Sequence, residues 1–147
     1  MDYNDSKDYE VLEHTADEYI AVHGESLEEA FENAGKATTS IMTDLGKVKA
    51  TEEKEANVEG HDIKALLYNW LEELLVRFDA EGMLYSRFQV EWIKKSDPGY
   101  CLKARIAGEH FDPERHPQLT GVKAVTYHMM EIIKEPNKVT LKFVLDV

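Results

Sequence analysis

The chain has a single cysteine, Cys101. No internal disulfide can form, so nothing points to an oxidising compartment, and the cytoplasm is the expected location. Cys101 falls in an alternating segment, where a half-buried strand thiol is expected rather than a nucleophile. No apolar run approaches bilayer length, which argues against a helical membrane span. The opening MDYNDSKDYE lacks the basic and apolar regions of a secretory signal. Basic residues are few: 17 Lys and Arg stand against 29 Asp and Glu, for a net charge of −12. Phosphate-backbone binding depends on clustered cations and counterion release. The longest basic clusters, Lys47-Val48-Lys49 and Lys94-Lys95, are short and have acids nearby. Direct nucleic-acid binding is therefore not expected. An acidic surface attracts cations and basic proteins, so a role in RNA metabolism would run through a basic protein partner. Recognisable catalytic motifs are also missing: there is no P-loop, GxGxxG, GxSxG, CxxC or HExxH.

What is present fits a folded domain. The 147 residues are 43% hydrophobic and 31% charged, enough for one core, and residues 1–147 read as a single domain with 1–8 as a flexible, charged leader. Tyr9 to His14 and Glu18 to His23 read as short strands, with Asp17 at the turn between them. Ser26 and Glu29 match a capping box in which Glu29 reaches back to the cap. Behind it, Leu27, Ala30, Phe31, Ala34, Ile41 and Met42 recur at helical spacing, predicting a helix to about Asp44 that stops near Gly46. Lys54 to Val58 reads as a polar strand. Asp62 caps a second helix whose stripe runs Ile63, Leu66, Leu67, Trp70, Leu71, Leu74, Leu75 and Phe78, ending at Gly82.

Strands follow: Tyr85 to Lys94, a turn at Asp97-Pro98-Gly99, then Tyr100 to Ala107. Val122 to Lys134 suits either a helix or a strand. Strand is the better reading, because Glu135-Pro136-Asn137-Lys138 then turns into the alternating run Val139 to Val147. The fold expected is α+β, mostly antiparallel with two packed helices. A strand-helix-strand-strand unit used twice is compatible with this order, although no sequence repeat is evident.

Two groups of residues could carry chemistry. His110 and His116 with Asp112 offer zinc ligands, or the base of a metal-dependent hydrolase, but no Cys or nucleophile accompanies them. Oxygen ligands form the second group: Asp17 at a turn, Asp146 at the end of the last strand, and the carboxylate of Val147. Hard cations such as Ca²⁺ take about six to eight oxygens, with water completing the set. On residue type alone, exposed turn and terminal acids remain the alternative.

Several stretches in order carry a resemblance: HTAD (His14 to Asp17), LLYNWLEELL (Leu66 to Leu75), GEHFDPERHPQLTGVKAVTYH (Gly108 to His128) and the final Asp146-Val147. Together they are similar to the archease family, over nearly the whole chain. The resemblance implies a protein cofactor, not an enzyme, that activates an RtcB-type RNA ligase in tRNA splicing by promoting its guanylylation and turnover. It also implies a calcium ion held by Asp17, Asp146 and Val147. Lys123 matches a position linked to ligase activation, and His14 is placed with it toward the partner. Two positions depart from the family pattern. Glu13 stands where members often have Asp, and Val147 where they often have Ile; the latter leaves the main-chain carboxylate unchanged.

Overall fold

The computed structural model describes residues 9–12 and 17–147. The expected leader at 1–8 and the residues at 13–16, among them Glu13 and His14, lie outside the described residues. The elements are β1 (Tyr9–Leu12), β2 (Asp17–Gly24), α1 (Leu27–Met42), a 3-10 turn (Leu45–Lys47), β3 (Glu52–Gly60), α2 (Ile63–Glu81), β4 (Met83–Lys95), β5 (Tyr100–His110), β6 (Ala124–Glu135) and β7 (Lys138–Asp146). The α+β order predicted from the sequence is the order found. No described helix is long and apolar enough to cross a membrane.

Local chemistry sets the helix ends. The Ser26 hydroxyl accepts the Glu29 N–H at 3.1 Å, as a capping box requires. The reciprocal bond is displaced by one residue: the Glu29 carboxylate takes the N–H of Glu25, at 2.6 Å, rather than that of Ser26. α1 stops at Met42, short of the expected Asp44. There the Asp44 carboxylate accepts the Gly46 N–H at 3.0 Å and starts a separate short turn, a side-chain bond that competes with helix continuation. In α2 the Asp62 carboxylate accepts the Ala65 N–H at 2.7 Å, and Gly82 closes the helix in the left-handed region at φ 69°.

The strands form two sheets, ordered β1-β2-β7-β6 and β3-β5-β4, with every pair antiparallel. One contiguous core joins the inner faces of both sheets and both helices. Leu66, Leu67, Trp70 and Leu71 of α2 are fully buried, and the Trp70 indole donates to the Phe31 carbonyl of α1 at 2.9 Å. Burying each such large apolar side chain contributes about 1.5–3 kcal/mol.

The duplicated unit is present, but nested. β2-α1-β6-β7 builds one strand-helix-strand-strand unit, with sheet order β2-β7-β6. β3-α2-β4-β5 builds a second with the matching order β3-β5-β4, inserted between α1 and β6 of the first. The two copies share a short sequence trace. Val22-His23-Gly24 leads to the cap Ser26, and Val58-Glu59-Gly60 leads to the cap Asp62. A methyl group on Gly24 would overlap the backbone of Ala30, and one on Gly60 would overlap that of Leu66. The strand end therefore lies against the first helical turn in both copies. Asn33 Nδ2 then donates to the His23 carbonyl, and Asn69 Nδ2 to the Glu59 carbonyl, each at 2.7 Å. Only a few positions carry this trace, so it is hidden in a plain search for repeats.

Candidate functional site

β7 lies between β2 and β6, which brings distant parts of the chain to one tip. The alternation of β7 buries Val139, Leu141, Phe143 and Leu145 in the core and sends Asp146 to the opposite, outer face. Asp17, the first residue of β2, sits directly across from Asp146. Residues so opposed share a face, with Cβ atoms about 4.5–5.5 Å apart. On the other side of β7, Ala124 opposes Asp146, and the Lys123 N–H donates to the Asp146 carbonyl at 2.7 Å. Asp146 and Lys123 are exposed, while Asp17 and Val147 are half-buried.

The fold thus brings together Asp17, Asp146, Val147 and Lys123; His14 lies outside the described residues. Among the described residues no group of three or more His, Cys, Asp or Glu side chains is placed to hold a metal. The tip places the side-chain carboxylates of Asp17 and Asp146 on one face beside Val147, and oxygen donors of this kind suit a hard cation. Glu18, beside Asp17, lies opposite Leu145 on the core side, and its partial burial pushes its carboxyl above the ordinary range.

The histidines of the Gly108 to His128 segment do other work. His116 is fully buried. Its Nδ1 accepts the Asp112 N–H at 2.8 Å, so the ring proton sits on Nε2 and is donated to Glu109 Oε2 at 2.9 Å. Both nitrogens are thereby occupied, and no lone pair is left for a metal or for base catalysis. Arg115 grips both Glu109 oxygens at 2.7 and 3.1 Å, and the Lys49 N–H adds a bond at 2.8 Å. The Arg115 guanidinium, helped by Lys49 and His116, outweighs burial and holds the Glu109 carboxyl down to about 2. His110 is exposed and pairs with Glu52 at 3.1 Å. The zinc and hydrolase readings of His110, His116 and Asp112 therefore lose their geometric basis. The network instead fixes the start of the loop that leads to Lys123. Sequence reasoning did not single out Glu109 or Arg115; their placement around a His between two prolines was the available signal.

β6 is a strand, as expected, but an interrupted one. Thr126 opposes Val144 and Glu131 opposes Lys142, so four β6 residues face the single residue Phe143. Met129 takes a positive φ of 60°, a costly conformation for a residue with a side chain. Tyr127 leaves the ladder and stacks on Tyr68 of α2, with ring centroids 4.4 Å apart and planes 11° from parallel. Desolvation against α2, with Asp62, Tyr68 and Glu72 nearby, raises the Tyr127 hydroxyl above its ordinary value. The bulge explains why neither a helical nor a strand period fits this stretch cleanly.

Residues 9–147 match the model of the Archease protein family (MTH1598/TM1083). The chain is 45% identical over 139 residues to the protein archease of Sulfurisphaera tokodaii, covering 95% of this chain and 98% of that one. It is 48% identical over 131 residues to the protein archease of Pyrococcus abyssi, covering 89% and 92% respectively. The solution structure of Methanobacterium thermoautotrophicum protein 1598 is similar with a TM-score of 0.84 at 40% identity, covering 97% of this chain and all of that one. A Thermotoga maritima crystal structure described as an archease, possible chaperone, shares the fold at a TM-score of 0.56 and 22% identity, covering 92% of this chain and 94% of that one. With a family match that starts in β1 and runs through the last residue, and relatives covered almost end to end, this chain belongs to the archease family.

Proposed function

We propose that this chain is a cytoplasmic, non-enzymatic protein cofactor that activates an RtcB-type RNA ligase in tRNA splicing, promoting the ligase's guanylylation and turnover. The observation that carries the reading is the direct pairing of Asp17 with Asp146 across β2 and β7, beside Val147. Opposed on adjacent strands, the two side chains share a face and can offer oxygens to one cation. Asp17, Asp146 and the Val147 carboxylate are the groups that hold it in this reading, with Ca²⁺ as the cation. When bound, the ion supplies positive charge at the end of an acidic molecule. The net charge of −12 draws the protein toward a basic ligase surface. Lys123, held beside Asp146 by its own backbone, meets a phosphate or a ligase carboxylate there.

Calcium titration by calorimetry tests the ligand set. A tag fused after Val147 converts its carboxylate to a neutral peptide group, so the extended protein should bind Ca²⁺ at least about tenfold more weakly, while an N-terminal tag has no effect. Equal affinity for the two tagged forms would remove Val147 from the set.

A further inference from the structure

A second feature lies along the same loop. A cavity of about 360 Å³ opens between the ends of the two helices and the segment before Lys123. That volume is within the range of built binding sites. Its apolar walls include Met42, Phe78, Phe111 and Leu119, and its polar ones include Thr43 and Asp79. The loop is tied in place over it: the Leu119 and Thr120 N–H groups donate to the Met42 and Ile41 carbonyls at 3.0 and 3.2 Å. Leu119, 59% exposed, forms part of the mouth.

Three observations point to a cation. Met42 ends α1, and Phe78 and Asp79 lie in the last turn of α2, so two helix C-termini with partial negative charge meet at the cavity. Neither helix has a basic residue in its last turn to offset that charge. No Lys or Arg is among the residues that line the cavity. A fourth observation asks for a hydrogen bond: Thr43 is 2% exposed, and its hydroxyl has no partner among the described residues. Buried polar groups are nearly always satisfied, and exceptions require an explanation. Phe78 and Phe111, packed edge to face with centroids 6.0 Å apart, add aromatic surface.

A flat, weakly hydrated cation on an apolar stem satisfies all of these at once. The arginine side chain has that chemistry, whereas the compact and strongly hydrated ammonium of lysine fits less well. We propose that the cavity anchors an arginine side chain presented by a protein partner, with Asp79 pairing the guanidinium and the Thr43 hydroxyl accepting one of its N–H groups. This rests on the partner-protein reading above. It extends that reading by placing a second contact next to the tip along the chain, since Val122 lines the cavity and the next residue, Lys123, bonds Asp146.

The test uses the full chain, labelled with ¹⁵N and titrated with N-acetyl-argininamide, N-acetyl-lysinamide and neutral N-butylurea. The arginine probe should give saturable millimolar shifts at Thr43, Leu119, Thr120 and Gly121, and the other two probes should bind at least about fivefold more weakly. Asp79→Asn and Thr43→Val should each weaken the arginine probe about fivefold without changing Ca²⁺ affinity. Thr43→Val should also raise the melting temperature of the free protein, because it deletes an unsatisfied buried hydroxyl. Absence of saturable shifts overturns the proposal, as does equal binding of the urea or lysine probe, or unchanged arginine binding by Thr43→Val. If the arginine probe behaves as expected and yet no RtcB-type ligase binds, the cavity stands and the ligase reading fails.

Discussion

Single residues divide into those that hold the loop and those that form the tip. Glu109 belongs to the first group. Its folded value of about 2 lies below the ordinary 4.5, so its ionised form stabilises the fold fully above pH 4.5. That stabilisation is lost as the pH falls from 4.5 toward about 2. Urea unfolding should therefore show the native protein losing more stability between pH 5 and pH 3 than Glu109→Gln does. The variant should also be less stable at neutral pH by about 2 kcal/mol, since His116 and Arg115 lose a charged acceptor. Identical acid profiles would remove Glu109 from that role. Asp17→Asn and Asp146→Asn belong to the tip. Each should weaken Ca²⁺ binding at least about tenfold and by a similar factor, because both serve one site. Full-affinity Ca²⁺ binding retained by either single variant would mean that the two acids do not share a site. At this scale the sequence displayed the acids and the histidines but not their states. The neutral tautomer of His116 is set by the Asp112 N–H and by Glu109, which become its neighbours only when the loop folds back.

Elements were the most legible level. Ser26, Asp62 and Gly82 mark helix ends through local chemistry, which needs no knowledge of the fold, and each acts where expected. β6 was less legible, because a long bulge shifts its register between Thr126 and Glu131 and breaks any fixed period. The order of elements suggested the duplicated unit but not its nesting, because the copies agree in mechanism at a few positions rather than in overall sequence. Its glycines allow a direct check. Gly24→Ala and Gly60→Ala each force a methyl into the first turn of a helix, so each should lower stability by about 2 kcal/mol in thermal or urea unfolding. Gly121→Ala, which meets nothing within 4 Å, should stay within about 0.5 kcal/mol of the native protein. If all three variants unfold alike, the strand-helix junctions are not the tight contacts described.

For the whole molecule, topology creates the site. Asp17 and Asp146 come from opposite ends of the sequence, and only the return of β7 between β2 and β6 sets them face to face. Nothing in the local sequence around either residue encodes that pairing, so the sequence offered both acids as candidate ligands without showing that they meet. On the outer face of β3-β5-β4 the basic residues are paired: Arg87 and Arg105 bond Glu53, and Lys103 lies between Glu55 and Glu91. Cations neutralised in this way do not form a phosphate-binding stripe, in keeping with the proposed action through a basic partner.

Activation of a ligase is measured most directly as the rate of guanylylation of an RtcB-type ligase by GTP, with and without this protein. The rate should be faster with the native chain and unaccelerated with Asp146→Asn. A rate that is the same whether or not the native protein is present would rule out ligase activation.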